Sequence, residues 1–253
     1  GCHRSAATSQ DVDMKNRSDV AFVTGAAGGL GAPIVQRLAS DGFRVIAADR
    51  DAAAERFKGV EGITTITLDV ADERACRAAV DDAAGQGRLA VLVNNAAIFP
   101  SGPFVEVTPD DYDRAHAVNQ RAYFFTAQAA ARHMIEHQHG SIVNIGSITQ
   151  HGGWPNIVAY ATAKGAAAAF SRALATELGP HGVRVNCIAP GAFPTPAEDM
   201  QPDGYEATIL AGQALQRRGH LGEIAAAVSF LCGPDADFIT GQTLNVDGGW
   251  KMN

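Results

Sequence analysis

From Val20 onward, short β-branched runs alternate with longer Ala-rich stretches, and few folds accommodate that rhythm. The runs are 20–24 (VAFVT), 44–48 (RVIAA), 63–68 (ITTITL), 89–93 (LAVLV), 141–145 (SIVNI), 183–187 (VRVNC) and 243–246 (TLNV). Each is apolar through most of its length, as a strand covered on both faces must be. Between them the spacing predicts helices near 30–40, 73–84, 110–136, 158–178 and 223–232. In the first, Leu30, Ile34, Val35 and Leu38 form one stripe, and Pro33 falls in the opening turn, where a missing N–H costs little. Strand and helix in alternation predict one α/β domain, a doubly wound parallel sheet of the Rossmann type. About seven strands with helices on both faces are expected, joined by right-handed crossovers.

At 253 residues the chain buries a core large enough to need no disulfide or structural metal. Twenty basic residues stand against 27 acidic ones, a net charge of −7 that argues against nucleic acid or an anionic membrane as partner. Cys2, Cys76, Cys187 and Cys232 lie far apart without a C-x-x-C pair, so reduced thiols in a cytoplasmic protein are expected. No apolar run approaches the roughly 18 residues of a membrane span. Residues 1–18 are polar and lack the apolar core of a secretion signal; they are expected to form a flexible tail ahead of a domain at 19–253. Residues 192–220 carry three prolines in an unusually long connection, expected to be a substrate lid.

The first strand runs into Thr24-Gly25-Ala26-Ala27-Gly28-Gly29-Leu30-Gly31, and a helix follows. Glycines there let backbone approach a pyrophosphate, and the helix N-terminus offers it free N–H groups. A glycine cluster alone is weak; its place between strand and helix strengthens it. The second strand ends in Asp49, 18 residues after Gly31, where a carboxylate accepts from ribose hydroxyls and repels a 2′-phosphate. That favours NAD, although Arg50, next in line, offers the opposite charge. Tyr160 and Lys164 share one face of a predicted helix, and a neighbouring ammonium draws a phenol toward its anion. Such a phenol exchanges a proton with a substrate oxygen. Ser147 closes the fifth strand, at the carboxyl edge where open α/β sheets bind ligands.

Together these motifs resemble the short-chain dehydrogenase/reductase family over residues 19–250. The likeness adds Asp69 and Val70 after the third strand, Asn94-Asn95-Ala96 after the fourth, and Asn119 in a long helix. Ser147 stands thirteen residues before Tyr160; Pro190-Gly191 and Thr195 follow the sixth strand, and Asn245–Gly249 closes the chain. The resemblance implies that Tyr160 is general acid/base and that Ser147 polarises the substrate oxygen. It implies that Lys164 holds the nicotinamide ribose and depresses the Tyr160 pKa, while Asn119 anchors a proton-relaying water chain. Gly25, Gly28, Gly29, Leu30, Gly31, Asp49, Arg50, Asp69, Val70, Asn95, Ala96, Pro190, Gly191 and Thr195 would line the cofactor. Two departures stand out: Ala97 where the family usually has Gly, and Gly146 where Ser is frequent.

The expected activity is hydride transfer between NAD and a small secondary alcohol or ketone. Ser147, Gln150, Trp154 and Phe193 are the expected substrate contacts, with Ile98 nearby. His133, His137 and His139 read as a solvated helix end, and no metal is expected. Two other readings stay open: an NADPH-dependent 3-oxoacyl or ketone reductase, and a non-catalytic NAD-sensing regulator. Family likeness implies a homodimer or homotetramer, joined through the 110–136 and 158–178 helices.

Overall fold

The structure, a computed structural model, describes residues 19–50, 53–195 and 204–252. Its strands are β1 (Asp19–Thr24), β2 (Arg44–Asp49), β3 (Ile63–Thr67), β4 (Arg88–Asn94), β5 (Gly140–Ile145), β6 (Val183–Pro190) and β7 (Thr243–Val246). They form one parallel sheet in the order β3-β2-β1-β4-β5-β6-β7. The chain winds outward from β1 to β3, returns to the centre at β4, and then winds the other way. That reversal opens a crevice beyond the carboxyl ends of β1 and β4, the place where such sheets bind ligands.

Successive side chains on a strand face opposite ways, so each strand feeds two cores. Val20 and Phe22 join Leu92, Ile142 and Val185 beneath α3 (Glu73–Ala84), α5 (Ala122–Glu136) and α6 (Val158–Leu178). Ala21 and Val23 join Val91 and Val143 beneath α1 (Gly31–Ser40) and α8 (Leu221–Cys232). The predicted stripe of α1 is buried at Ile34, Val35 and Leu38. In α6 the buried face is mostly Ala159, Ala163, Ala167, Ala168 and Ala175, small residues that let the helix lie close to β5 and β6. Central strands are wholly covered, whereas β3 and β7 at the edges are half exposed.

Three elements differ from the sequence expectation. The helix expected at 110–136 is α4 (Pro109–His116), then one π-helical turn (Ala117–Arg121), then α5. Its start is firmly set: Thr108 caps Asp111 N at 3.1 Å, Asp111 reaches back to Thr108 N, and Pro109 opens the helix. Two short helices were not expected: α2 (Ala53–Arg56), and α7 (Tyr205–Gly212) inside the 192–220 connection. The expected tail at 1–18 and residues 196–203 of that connection lie outside the described residues.

Candidate active site

At the end of β1 the chain turns at Gly25, with φ at +62°, where a Cβ would come within 2.7 Å of Ala96 Cα. A Cβ on Gly31 would collide with the Gly25 carbonyl. Both positions therefore need glycine, and the loop folds tightly onto the start of α1. No side chain caps that helix; Ala32 N donates to Gly28 O at 3.1 Å and Pro33 carries no N–H, so what the helix start brings to the loop is the positive end of its dipole. Thr24 fastens the loop to the β4 end: its Oγ1 accepts from Asn95 N at 3.0 Å and Ala96 N at 3.1 Å. The Asn95 amide completes the fastening, donating to Thr24 O at 3.0 Å and Gly25 O at 2.9 Å. Asn95 thus shapes the cradle from behind.

Asp49, at the carboxyl end of β2, accepts from Ala27 N at 2.8 Å. Arg56 Nη1 donates to the carbonyl of the same Ala27 at 3.0 Å. A carboxylate and a guanidinium therefore grip the same residue of the glycine loop through its N–H and its carbonyl. Asp69 is exposed and accepts from Ala71 N at 2.9 Å, and Val70 is buried beside it. At the far end, Gly191 N donates to Val246 O at 2.9 Å, fixing the exit of β6 after Pro190 against β7. Thr195 is partly buried.

The α6 helix carries Tyr160 and, one turn on, Lys164. Lys164 is buried, and its Nζ donates to Ile145 O at 2.7 Å, two residues before Ser147. Burial draws the ammonium down from the ordinary 10.5 to about 8, because the charged form loses its water. Ser147 is also buried, and its Oγ accepts from Thr149 N at 3.2 Å as the cap of a 3₁₀ turn (Ile148–His151). The Tyr160 ring meets Phe99 edge-on, centroids 4.7 Å apart. A cavity of about 10 Å³, about one water in size, lies against Lys164 and is lined also by Thr24, Asn94, Thr126 and Ile145.

Asn119 sits in the π-helical turn and is 1% exposed. Its amide is committed to one neighbour: Nδ2 donates to Ile98 O at 2.9 Å and Oδ1 accepts from Ile98 N at 2.8 Å. The π turn brings this side chain in to clamp the β4–α4 loop, and such turns recur at functional sites. Behind it runs a buried polar chain not expected from the sequence. Thr126 Oγ1 donates to Asn94 Oδ1 at 2.6 Å, Asn94 Nδ2 to Asn144 Oδ1 at 2.9 Å, and Asn144 Nδ2 to Ser171 Oγ at 2.9 Å. It fixes β4 against β5, and hence the loop with Asn95 against the one with Ser147. Its one sequence signal was polar residues inside otherwise apolar strands.

Of the expected substrate contacts, Gln150 and Trp154 lie in the segment joining Ser147 to Tyr160, both partly buried. Phe193 does not join them. Its ring is 5% exposed in the α1/α8 core, with Gly219 against its edge. Phe99, which touches Tyr160, was not among the expected contacts, because its place depends on the Asn119 clamp.

A protein-family model described as enoyl-(acyl carrier protein) reductase matches residues 25–251. This chain belongs to the short-chain dehydrogenase/reductase family. It is 39% identical over 251 residues to the short-chain reductase protein NovJ of Streptomyces niveus, covering 92% of this chain and 94% of that one. It is 37% identical over 261 residues to L-2,3-butanediol dehydrogenase of Corynebacterium glutamicum, covering 93% and 100%. A solved short-chain dehydrogenase/reductase from Serratia marcescens matches with a TM-score of 0.85 at 37% identity, covering 94% and 99%. The chain is thus an oxidoreductase acting on CH–OH groups, in a family that uses nicotinamide cofactors.

For a short-chain dehydrogenase/reductase the departure at Gly146 has a local cause. A Cβ there would meet Cys187 Sγ at 2.8 Å, so the thiol fills the space a larger residue would need. The glycine loop itself fits a dinucleotide: it admits no Cβ at Gly25 or Gly31, and the start of α1, with no side chain capping it, sets the positive end of its dipole beside it.

Proposed function

We propose that this short-chain dehydrogenase/reductase transfers a hydride between NAD and a small secondary alcohol or its ketone, with Tyr160 as general acid/base. The observation that carries the reading is Lys164, a buried ammonium one helical turn from Tyr160 and bonded to the β5 carbonyl beside Ser147. An ammonium there stabilises the phenolate, and a phenolate takes the proton from the alcohol oxygen as that oxygen becomes a carbonyl. The Ser147 hydroxyl donates to the same oxygen and holds it toward Tyr160. Asn119 positions the Ile98–Phe99 loop against Tyr160 and anchors the relay that returns the proton to solvent.

NAD, when bound, supplies the acceptor for the hydride leaving the carbinol carbon. Gly25, Gly28, Gly29, Leu30 and Gly31 would hold its pyrophosphate, Asp49 its adenosine ribose, and Asp69 and Val70 its adenine. Asn95, Ala96, Lys164, Pro190, Gly191 and Thr195 would flank the nicotinamide half. NADP is the second reading, favoured by Arg56 on the Ala27 carbonyl and by Arg50 next to Asp49 in the chain. Asp49 at the ribose outweighs it, because a carboxylate repels the 2′-phosphate.

The 192–220 segment serves as the substrate lid. The enzyme works in the cytoplasm as a homodimer or homotetramer joined through the 110–136 and 158–178 helices; Phe124, exposed on α5, supports the assembly. Steady-state turnover of secondary alcohols, followed by reduced-nicotinamide absorbance, tests the assignment. We expect kcat/KM with NAD to exceed that with NADP at least tenfold. A preference for NADP overturns the cofactor reading, and failure of every alcohol and ketone with both overturns the activity.

A further inference from the structure

We propose that the C-terminal segment walls the substrate cleft and that its Lys251 binds a carboxylate on the substrate, so the preferred substrates are flat alcohols or ketones bearing that anion. The inference rests on the activity proposed above and names its substrate class.

The segment is held where its cation has a purpose. Asp247 accepts from Gly249 N at 3.0 Å and Lys251 N at 2.7 Å, and Asn245 Nδ2 donates to Lys251 O at 2.8 Å. The backbone of Lys251 is therefore fixed on both sides. The same Asn245 turns Oδ1 toward His151 Nε2 at 3.2 Å, and His151 ends the 3₁₀ turn that Ser147 caps. One side chain thus latches the C-terminal segment to the turn carrying Ser147.

Trp250 then bridges the segment after that turn and the end of α7, with Lys251 beside it. Trp250 meets Trp154 edge-on at 6.1 Å, and its indole lies against Gly212 at the end of α7, where a Cβ would collide with it. Lys251 Nζ sits 5.2 Å from the Trp154 ring centroid. Trp154 follows Ser147 and precedes Tyr160 in the chain, and His151, latched to Asn245, ends the turn that Ser147 caps, so this cation is tied to the segment that joins Ser147 to Tyr160.

Charge and shape decide the ligand. Among the described residues, no carboxylate lies within ion-pair distance of Lys251 Nζ, although the chain carries a net charge of −7. An indole face holds an ammonium only weakly and leaves its remaining N–H groups free for an anion. Phe99 meets the Tyr160 ring and Trp154 lies beneath Lys251, so a flat apolar ring accompanies both the phenol and the cation. A planar body with the carbinol at one end and a carboxylate at the other fits that order.

The test compares 4-acetylbenzoate with acetophenone, and the corresponding alcohols, on the full-length protein and on K251M and K251R. Binding of the two ketones is read from Trp154 and Trp250 fluorescence, with and without NAD, and does not depend on turnover. We expect the carboxylate ketone to bind about tenfold more tightly than the neutral one, the scale of one charge-assisted hydrogen bond. K251M should abolish that preference and K251R keep most of it, with KM for the carboxylate alcohol rising and kcat little changed. Equal affinity of the two ketones in the parent protein overturns the inference. So does a K251M loss that is the same for both ketones, since Lys251 would then only fasten the C-terminal segment. Fluorescence discrimination without turnover of either alcohol retains the anion site and sinks the activity instead.

Discussion

Replacing Gly146 by Ser puts a side chain into the space that Cys187 already fills. The new Cβ would lie 2.8 Å from Cys187 Sγ and 3.4 Å from Ile188 O. Ordinary non-bonded contact is about 3.5–4.0 Å, so one side must retreat by roughly 0.7 Å or more. Neither retreats easily. Gly146 N is bonded to Ile188 O at 2.7 Å, and Cys187 is fully buried on β6, with its backbone N bonded to Gln242 O at 2.8 Å. Overpacking of this kind costs about 1–3 kcal/mol. At about 2–4 °C per kcal/mol for a chain of this size, G146S should lower Tm by roughly 2–12 °C. Cys187→Ala removes the obstructing sulfur, so G146S/C187A should be more stable than the two separate losses add up to, with a coupling of about 1 kcal/mol or more. Urea and thermal melts of the four proteins measure the cycle. A G146S protein as stable as its parent, or effects additive within about 0.5 kcal/mol, would refute the reasoning.

Two further outcomes follow from the site. Burial lowers the Lys164 pKa in the folded chain to about 8, whereas the unfolded chain keeps the ordinary 10.5. Between those values the unfolded state binds the extra proton, so this group's contribution to stability rises with pH, by about 3 kcal/mol in all. In cofactor-free urea melts, K164M should lose that rise, and an unchanged slope between pH 8 and about 10.5 would contradict the account. Asp49→Ala removes the Ala27 tether and the negative charge at the proposed ribose site. NAD affinity should fall about tenfold and NADP affinity should not, as titration of both cofactors would report; equal losses would reassign Asp49 to loop structure alone.

Much of the fold was legible because parallel strands covered on both faces read as unbroken apolar runs. Runs such as VAFVT and LAVLV correspond to β1 and β4, and β6 extends three residues further because Ile188, Ala189 and Pro190 pair with β7 and Ile188 also with β5. The π turn at 117–121 was hidden, since one extra residue in a helix leaves the surrounding pattern helical. The α7 helix was hidden too: it is short, begins after Pro202 and Gly204, and has Ile209 as its fully buried anchor. In the site, Tyr160 and Lys164 were readable because one helix fixes their relation. Cys187 under Gly146, Asn119 on Ile98 and Trp250 on Gly212 are contacts between distant segments, and no local pattern encodes them. Phe193 illustrates the same limit: an aromatic in a Pro-rich connection gives no sign of which way it turns.

The central claim is that a phenolic proton on Tyr160 moves as the substrate carbon changes oxidation state. Tyr160→Phe keeps the ring against Phe99 and removes the oxygen. Single-turnover reduction of NAD by a substrate alcohol should fall at least about 10²-fold, with NAD affinity within about twofold of the parent. A Y160F protein that reduces NAD at the parental rate would contradict the account.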